Sequence, residues 1–153
     1  MTSRRIVLDA NILIRAVLGV KVGGLLAKYA EAVEFFAPSI AFEDAEANLP
    51  PIMSKRGIGE AELALGLNAV RLLVEEIPDE VTEARRADAL LRIGRRDPDD
   101  WPIVAAALVL ECPIWTEDKD FFGAGVATWT SDLVEIYLRG DQFGAVLSGK
   151  NMG

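Results

Sequence analysis

Apolar and polar positions fall along this chain in short blocks whose period switches between that of a strand and that of a helix. The opening block, Ile6-Val7-Leu8, is short, rich in β-branched residues and stops at Asp9, after which Ile12, Leu13, Ile14, Val17 and Leu18 return at helical spacing. That pattern predicts a strand, a tight turn and a helix. A second helical pattern runs from Val22 to Val33, broken only at Gly23-Gly24, and Glu34 to Ala37 predicts a strand ended by Pro38. From Ser39 a helix carrying Ile40, Phe42 and Glu43 is expected to bend or stop at Pro50-Pro51 and to resume toward Lys55.

Between Gly59 and Val74 the residues Leu63, Leu65, Leu67, Val70, Leu72 and Leu73 predict a strongly apolar helix, and Glu75 to Pro78 a brief connection or strand. One amphipathic helix is expected from Asp79 to Ile93, with Arg85, Arg86 and Arg92 on its polar positions and Gly94-Arg95-Arg96 ending it. Trp101 to Leu110 is apolar almost all round, which predicts a helix at the centre of the fold. Two short strands, Pro113 to Thr116 and Val126 to Trp129, flank a polar and aromatic turn from Glu117 to Phe122, and a last helix spans Asp132 to Leu138.

Alternation of this kind favours an α/β fold: a short, mainly parallel central sheet between two helical layers, an α/β/α sandwich. Sheets of that class place their ligand sites beyond the carboxyl ends of the strands. No internal repeat is present. One domain is expected over residues 1–139, and residues 140–153, rich in glycine and small side chains, read as a loosely held tail.

Composition narrows the chemistry. The 153 residues, 51% of them apolar, suffice for one substantial core. Histidine is absent, which removes the commonest general base and the commonest zinc ligand, so catalysis falls to the carboxylates. A solitary Cys112 at the end of an apolar helix reads as a buried thiol. The balance of 24 acidic against 16 basic residues, net −8, disfavours broad attraction to a polyanion unless negative charges are gathered in one place and answered by bound cations. No apolar run is long enough for a membrane helix, and Met1 to Asp9 shows no cleavable signal pattern, so a cytoplasmic protein is expected.

The acids fall at element ends. Asp9 closes the first strand, Asp100 begins the alanine-rich helix, Asp118 follows the Ile114 to Thr116 strand by one residue, and Glu43 lies in the first turns of the helix after the second strand. Each has an ordinary explanation as well. Asp97, Asp99 and Asp100 suit a helix N-terminus, Asp9 and Asn11 suit a turn and cap, and Glu43 sits among the solvated acids Asp44 and Glu46. Asp44 points about 100° away from Glu43 around a helix, so the two cannot share a direction.

Taken together, Asp9-Ala10-Asn11 after a strand, Glu43 five residues beyond Pro38, Asp100 three residues before Ile103-Val104-Ala105-Ala106, and Thr116-Glu117-Asp118-Lys119-Asp120-Phe121 resemble the PIN-domain nucleases of the VapC-like kind, in order as well as content. The resemblance extends to about Leu138 and is most specific between Asp100 and Asp118. It implies that Asp9, Glu43, Asp100 and Asp118 are the four catalytic acids, with Asn11, Asp97, Asp99, Thr116 and Asp120 in support. Asp9, Asp100 and Asp118 are then the metal ligands, and the hard oxygen set selects Mg2+ or Mn2+. The implied substrate is single-stranded RNA, cut by a metal-activated water. The implied partners are a cognate antitoxin and a second copy of the chain, and no membrane.

Arg95 and Arg96, beside the acid cluster, are the candidate substrate-binding cations, with Arg85, Arg86 and Arg92 more simply read as a solvated helix face. Trp101, Trp115 and Trp129 are read as core rather than base-stacking platforms. Leu25, Leu26 and Tyr29 are either a partner surface or ordinary core. Two other classes compete with the nuclease: a non-catalytic PIN-fold binding or scaffold module, and a phosphotransfer receiver domain, which fits poorly because Lys119 lies in a turn between Asp118 and Asp120.

Overall fold

The computed structural model describes residues 4–94 and 96–140. Arg95 and residues 141–153, including nearly all of the expected tail, lie outside the described residues. Five strands, β1 (Arg4–Leu8), β2 (Val33–Pro38), β3 (Val74–Ile77), β4 (Ile114–Trp115) and β5 (Thr128–Trp129), form one sheet in the order β3-β2-β1-β4-β5, and every pairing is parallel. The α/β class and the parallel sheet are as expected. Strands buried on both faces need no alternation of polar residues, which is why Ile6, Val7 and Leu8 are all fully covered.

Helices α1 (Ala10–Leu18), α2 (Val20–Lys28), α3 (Ser39–Lys55) and α4 (Glu60–Leu73) make the crossovers from β1 to β2 and from β2 to β3. These crossovers step in one direction across the sheet, and right-handedness puts their helices on one face. The next connection, through α5 (Asp79–Glu83), α6 (Arg86–Ile93) and α7 (Trp101–Leu110), steps back past β2 and β1 to β4, so its helices cover the other face. Packing follows the same division: α1 packs on α2, α3 and α4, and α7 packs on α5, α6, β1 and β2. The last helix, α8 (Val134–Arg139), follows β5. Apolar all round, with Pro102 to Ala107 buried without interruption, α7 is the central helix its sequence predicts, and its alanines let it lie close against the sheet.

Several element bounds differ from the pattern reading, each for a local reason. The pattern from Val22 to Val33 divides: α2 ends at Lys28, residues 29–32 turn, and Val33 pairs with Arg4 in the sheet. Gly23 and Gly24 do not break α2; a Cβ on Gly23 would stand 3.1 Å from the Ala16 carbonyl oxygen, so the glycine lets α2 close onto α1 across a 98° bend. Helix α3 runs through Pro50 and Pro51 without stopping. The two carbonyls that lose donors there belong to Glu46 and Ala47, both at exposed positions where water can take over.

The expected single helix from Asp79 to Ile93 is two, α5 and α6, separated at Ala84 and Arg85. Thr82, buried there, turns its hydroxyl back to the Asp79 carbonyl, a local bond that competes with helix continuation. Trp115 is fully buried, while Trp101 and Trp129 are half-buried against the core. Leu26 and Tyr29 are core residues, with Leu25 packed beside them. Among the described residues no single helix is long and apolar enough to cross a membrane.

Candidate active site

The strand order reverses at β1 and β4, whose neighbours in sequence lie on opposite sides. Such a reversal opens a crevice at the carboxyl ends of the two strands. Leu8 pairs with Trp115, so the next residues, Asp9 and Thr116, emerge side by side at that edge. Asp9 adopts extended backbone as the N-cap of α1, and its Oδ1 accepts the Ile12 N–H at 3.0 Å. Its Oδ2 accepts the hydroxyl of Thr116, which is wholly buried. Thr116 Oγ1 in turn accepts the Asp118 N–H at 2.9 Å, and Asp118 Oδ1 accepts the Asp120 N–H at 2.9 Å. One bonded series therefore fixes the turn after β4 to the end of β1.

The other face supplies the remaining acids. A single 3-10 turn, Pro98–Asp100, delivers the chain into α7, and Asp97 caps it by accepting the Asp99 N–H at 3.2 Å. Asp97 and Asp100 join Asp9, Asn11, Glu117 and Asp118 around a cavity of about 360 Å³. A larger recess of about 610 Å³ shares Asp97 and Asp100 and adds Asp44, Asp79, Glu83 and Asp99 to its walls.

Crowded carboxylates resist ionisation. Burial raises the Asp9 carboxyl above the ordinary aspartate range, against the lowering effect of its bonds from Thr116 and Ile12, and the charges of Asp118 and Glu117 push the same way as burial. Asp100 is pushed up to about 7, first by burial, then by the charge of Asp97 and a hydrogen bond with it, and further by Asp118 and Asp9. Asp9, Asp100 and Asp118 thus feel one another electrostatically although 91 and 109 positions separate Asp9 from the other two.

The family model of the PIN domain matches residues 7–139. The chain belongs to the PIN domain family. Among solved structures, VapBC2 from Rickettsia felis bound to a DNA fragment from its promoter is similar at 15% identity and a TM-score of 0.57, over 82% of this chain and 98% of that one. FitAcB from Neisseria gonorrhoeae is similar at 22% identity and a TM-score of 0.55, over 82% of this chain and 97% of that one. FitAB bound to an IR36 DNA fragment gives 22% and 0.54, over 82% and 94%. At these identities the likeness is one of fold. No curated protein matches the chain.

In this PIN domain the predicted residues divide into those the fold gathers and those it does not. Asp9, Asn11, Asp97, Asp100 and Asp118 line the acid cavity, Thr116 and Asp120 brace it from behind, and Asp99 faces the adjoining recess. Glu43 is exposed on α3 and lines neither cavity; Asp44 lines the larger one instead. Both acids are exposed, and the turn of about 100° between adjacent helix positions lets only Asp44 reach a cavity wall. Glu117 was not foreseen. It lines the acid cavity and its Oε1 accepts the Ser131 N–H at 2.6 Å, and its only signal in the sequence was adjacency to the end of β4.

Arg96 is engaged with the protein. Its Nη1 donates to the carbonyls of Lys119 at 3.5 Å and Asp120 at 3.4 Å, and also to that of Phe122, so it holds the turn that carries Asp118.

The donor set suits a hard divalent cation, since the acids around the cavity offer only oxygen ligands and the charges of Asp97, Asp118 and Asp9 add to burial in resisting ionisation of Asp100. Among the described residues no group of three or more such side chains already stands in metal-holding geometry. A magnesium ion that keeps most of its waters needs only one or two carboxylates, a demand this cavity meets.

Proposed function

We propose that this PIN domain is a divalent-metal-dependent ribonuclease acting on single-stranded RNA, and that it is the toxin of a VapC-like toxin–antitoxin pair. The observation that carries the reading is the convergence of Asp9, Asp100 and Asp118 at the β1 and β4 crevice, with the acid cavity open beside them. Asp9 and Asp118 are the ligands for Mg2+ or Mn2+, with Asp100 as the third, and Asp44 rather than Glu43 is the fourth acid. Bound there, the cation supplies an activated water and stabilises the charge of the in-line displacement.

The chain's own residues do the rest. Thr116 holds the Asp9 carboxylate in one orientation and ties the Asp118 backbone beside it, which keeps both acids at the wall of one cavity. Asp100, pushed up to about 7 by burial and by its neighbouring carboxylates, would give up its proton when a cation binds beside it. Antitoxin binding, a homodimer and a cytoplasmic location belong to the same reading. The solved neighbours named for VapBC2 and FitAB, with their DNA fragments, support the paired context.

The test is Asp9→Asn. Asparagine keeps the N-cap acceptor, so the variant should fold, with melting within a few degrees of wild type, while cleavage of single-stranded RNA in Mg2+ is abolished. Wild-type cleavage by Asp9→Asn would remove the assignment.

The alternative reading is a PIN-fold module that binds nucleic acid without cutting it. Magnesium titration by calorimetry beside a cleavage assay separates the two, since metal and RNA binding with no cleavage selects the module.

A further inference from the structure

Glu117 is a wall shared by two cavities. Beyond it from the acids lies a smaller recess of about 260 Å³, lined by Arg15, Lys21, Ser131 and Asp132. Arg15 lies one helical turn beyond Asn11, which lines the acid cavity, and residues so spaced share a helix face. The step between them along α1 is about 6 Å. One face of α1 therefore leads from the carboxylates to a cation.

Most described cations are engaged: Arg5, Lys28, Arg71, Arg85, Arg86, Arg92 and Arg139 are each ion-paired, and Arg96 is taken by backbone carbonyls. Lys55, Arg56 and Lys119 are in no ion pair among the described residues, but none of them lines this recess. Arg15 is in none of the ion pairs among the described residues and acts on Asp132 through space. Lys21 is paired with Asp132 at 2.8 Å, but both side chains are well exposed, so the pair is weak and can yield to a phosphate. Ser131 is buried; its Oγ accepts the Trp115 indole N–H at 3.0 Å and keeps its own proton to donate.

We propose that this recess binds the phosphate of the RNA strand next to the one held at the acid cavity, with Arg15 and Lys21 as its charged donors and Ser131 as a neutral one. The proposal rests on the ribonuclease reading. Glu117, fixed by the Ser131 N–H, repels phosphate from the dividing wall and so sets the register: one phosphate on each side.

The experiment is steady-state cleavage of a random-sequence single-stranded RNA pool in Mg2+ across a salt series, for wild type, Arg15→Gln, Arg15→Lys and Lys55→Gln, the last at the far end of α3. Arg15→Gln should raise KM about fivefold or more with kcat within about twofold, and flatten the slope of log KM against log salt by about 0.7, the loss of one single-strand phosphate contact. Arg15→Lys should recover most of the loss, and Lys55→Gln should behave as wild type. An unchanged KM and salt slope in Arg15→Gln beside an active wild type overturns the recess assignment and leaves the nuclease standing. A loss confined to kcat also overturns it, and a wild type that cuts no RNA overturns both.

Discussion

Asp9 and Thr116, 107 residues apart, share a buried hydrogen bond at the carboxyl ends of adjacent parallel strands. The threonine hydroxyl donates to Asp9 Oδ2 and accepts from the Asp118 backbone, so one small side chain orients two of the acids. Replacing it with valine keeps the shape and removes both bonds. Thr116→Val is expected to cost about 1–3 kcal/mol in urea unfolding, because a buried carboxylate loses its partner. The Asp9 carboxyl should titrate higher still, since the Thr116 bond is one of the two that lower it. Retained stability together with full cleavage would mean the bond orients nothing.

The pH dependence follows from Asp100. Its folded value, about 7, lies above the ordinary 3.8, so between those values the folded protein holds a proton that the unfolded chain has released. The stabilisation is complete below pH 4 and is lost as pH rises through 7. Asp9, raised in the same direction, adds to the trend. In chelator the melting temperature attributable to these groups should therefore fall from pH 5 to pH 8. Added Mg2+ should restore more stability at pH 8 than at pH 5, because protons and metal compete for the same oxygens. A magnesium effect of equal size at both values would count against the acids as ligands.

Adjacent acids on α3 give a sharp comparison. Asp44→Asn should lower kcat for RNA at least about tenfold, in the range of a lost charged group at a reacting centre, with the fold intact. Glu43→Gln, at an exposed position that lines neither cavity, should stay within about twofold of wild type in side-by-side cleavage assays. The reverse ranking would return the fourth acidic position to Glu43.

Arg96 is expected to act through the turn it holds. Arg96→Ala frees the carbonyls of Lys119, Asp120 and Phe122, so amide exchange at residues 119–122 should accelerate and stability fall by about 1 kcal/mol. Exchange rates in that turn that match wild type would restore Arg96 as a free substrate cation.

Much of this was legible in the residues because parallel strands buried on both faces and an all-apolar helix leave strong patterns, as Ile6 to Leu8 and Trp101 to Leu110 do. Asp9, Asp100 and Asp118 stood out at element ends, but each suited a cap or turn equally well there, and only the resemblance to the PIN nucleases singled them out. The choice between Glu43 and Asp44 was not, because it turns on the rotation of α3 about its axis, and α3 presents acids at successive positions. Glu117 was hidden for a related reason: a turn has no periodicity from which the direction of a side chain can be inferred. The division of α5 from α6 and the continuity of α3 through two prolines were set by a buried threonine hydroxyl and by solvent access, neither of which a hydrophobic pattern records.

Because the first strand pairs with the fourth, a growing chain carries Asp9 for more than a hundred residues without the groups that complete its surroundings. Translation must pass Thr116 and Asp118, and the exit tunnel must release them, before the crevice can close. A chain that stops short of Asp118 cannot assemble the crevice, because two of its walls have not yet been made.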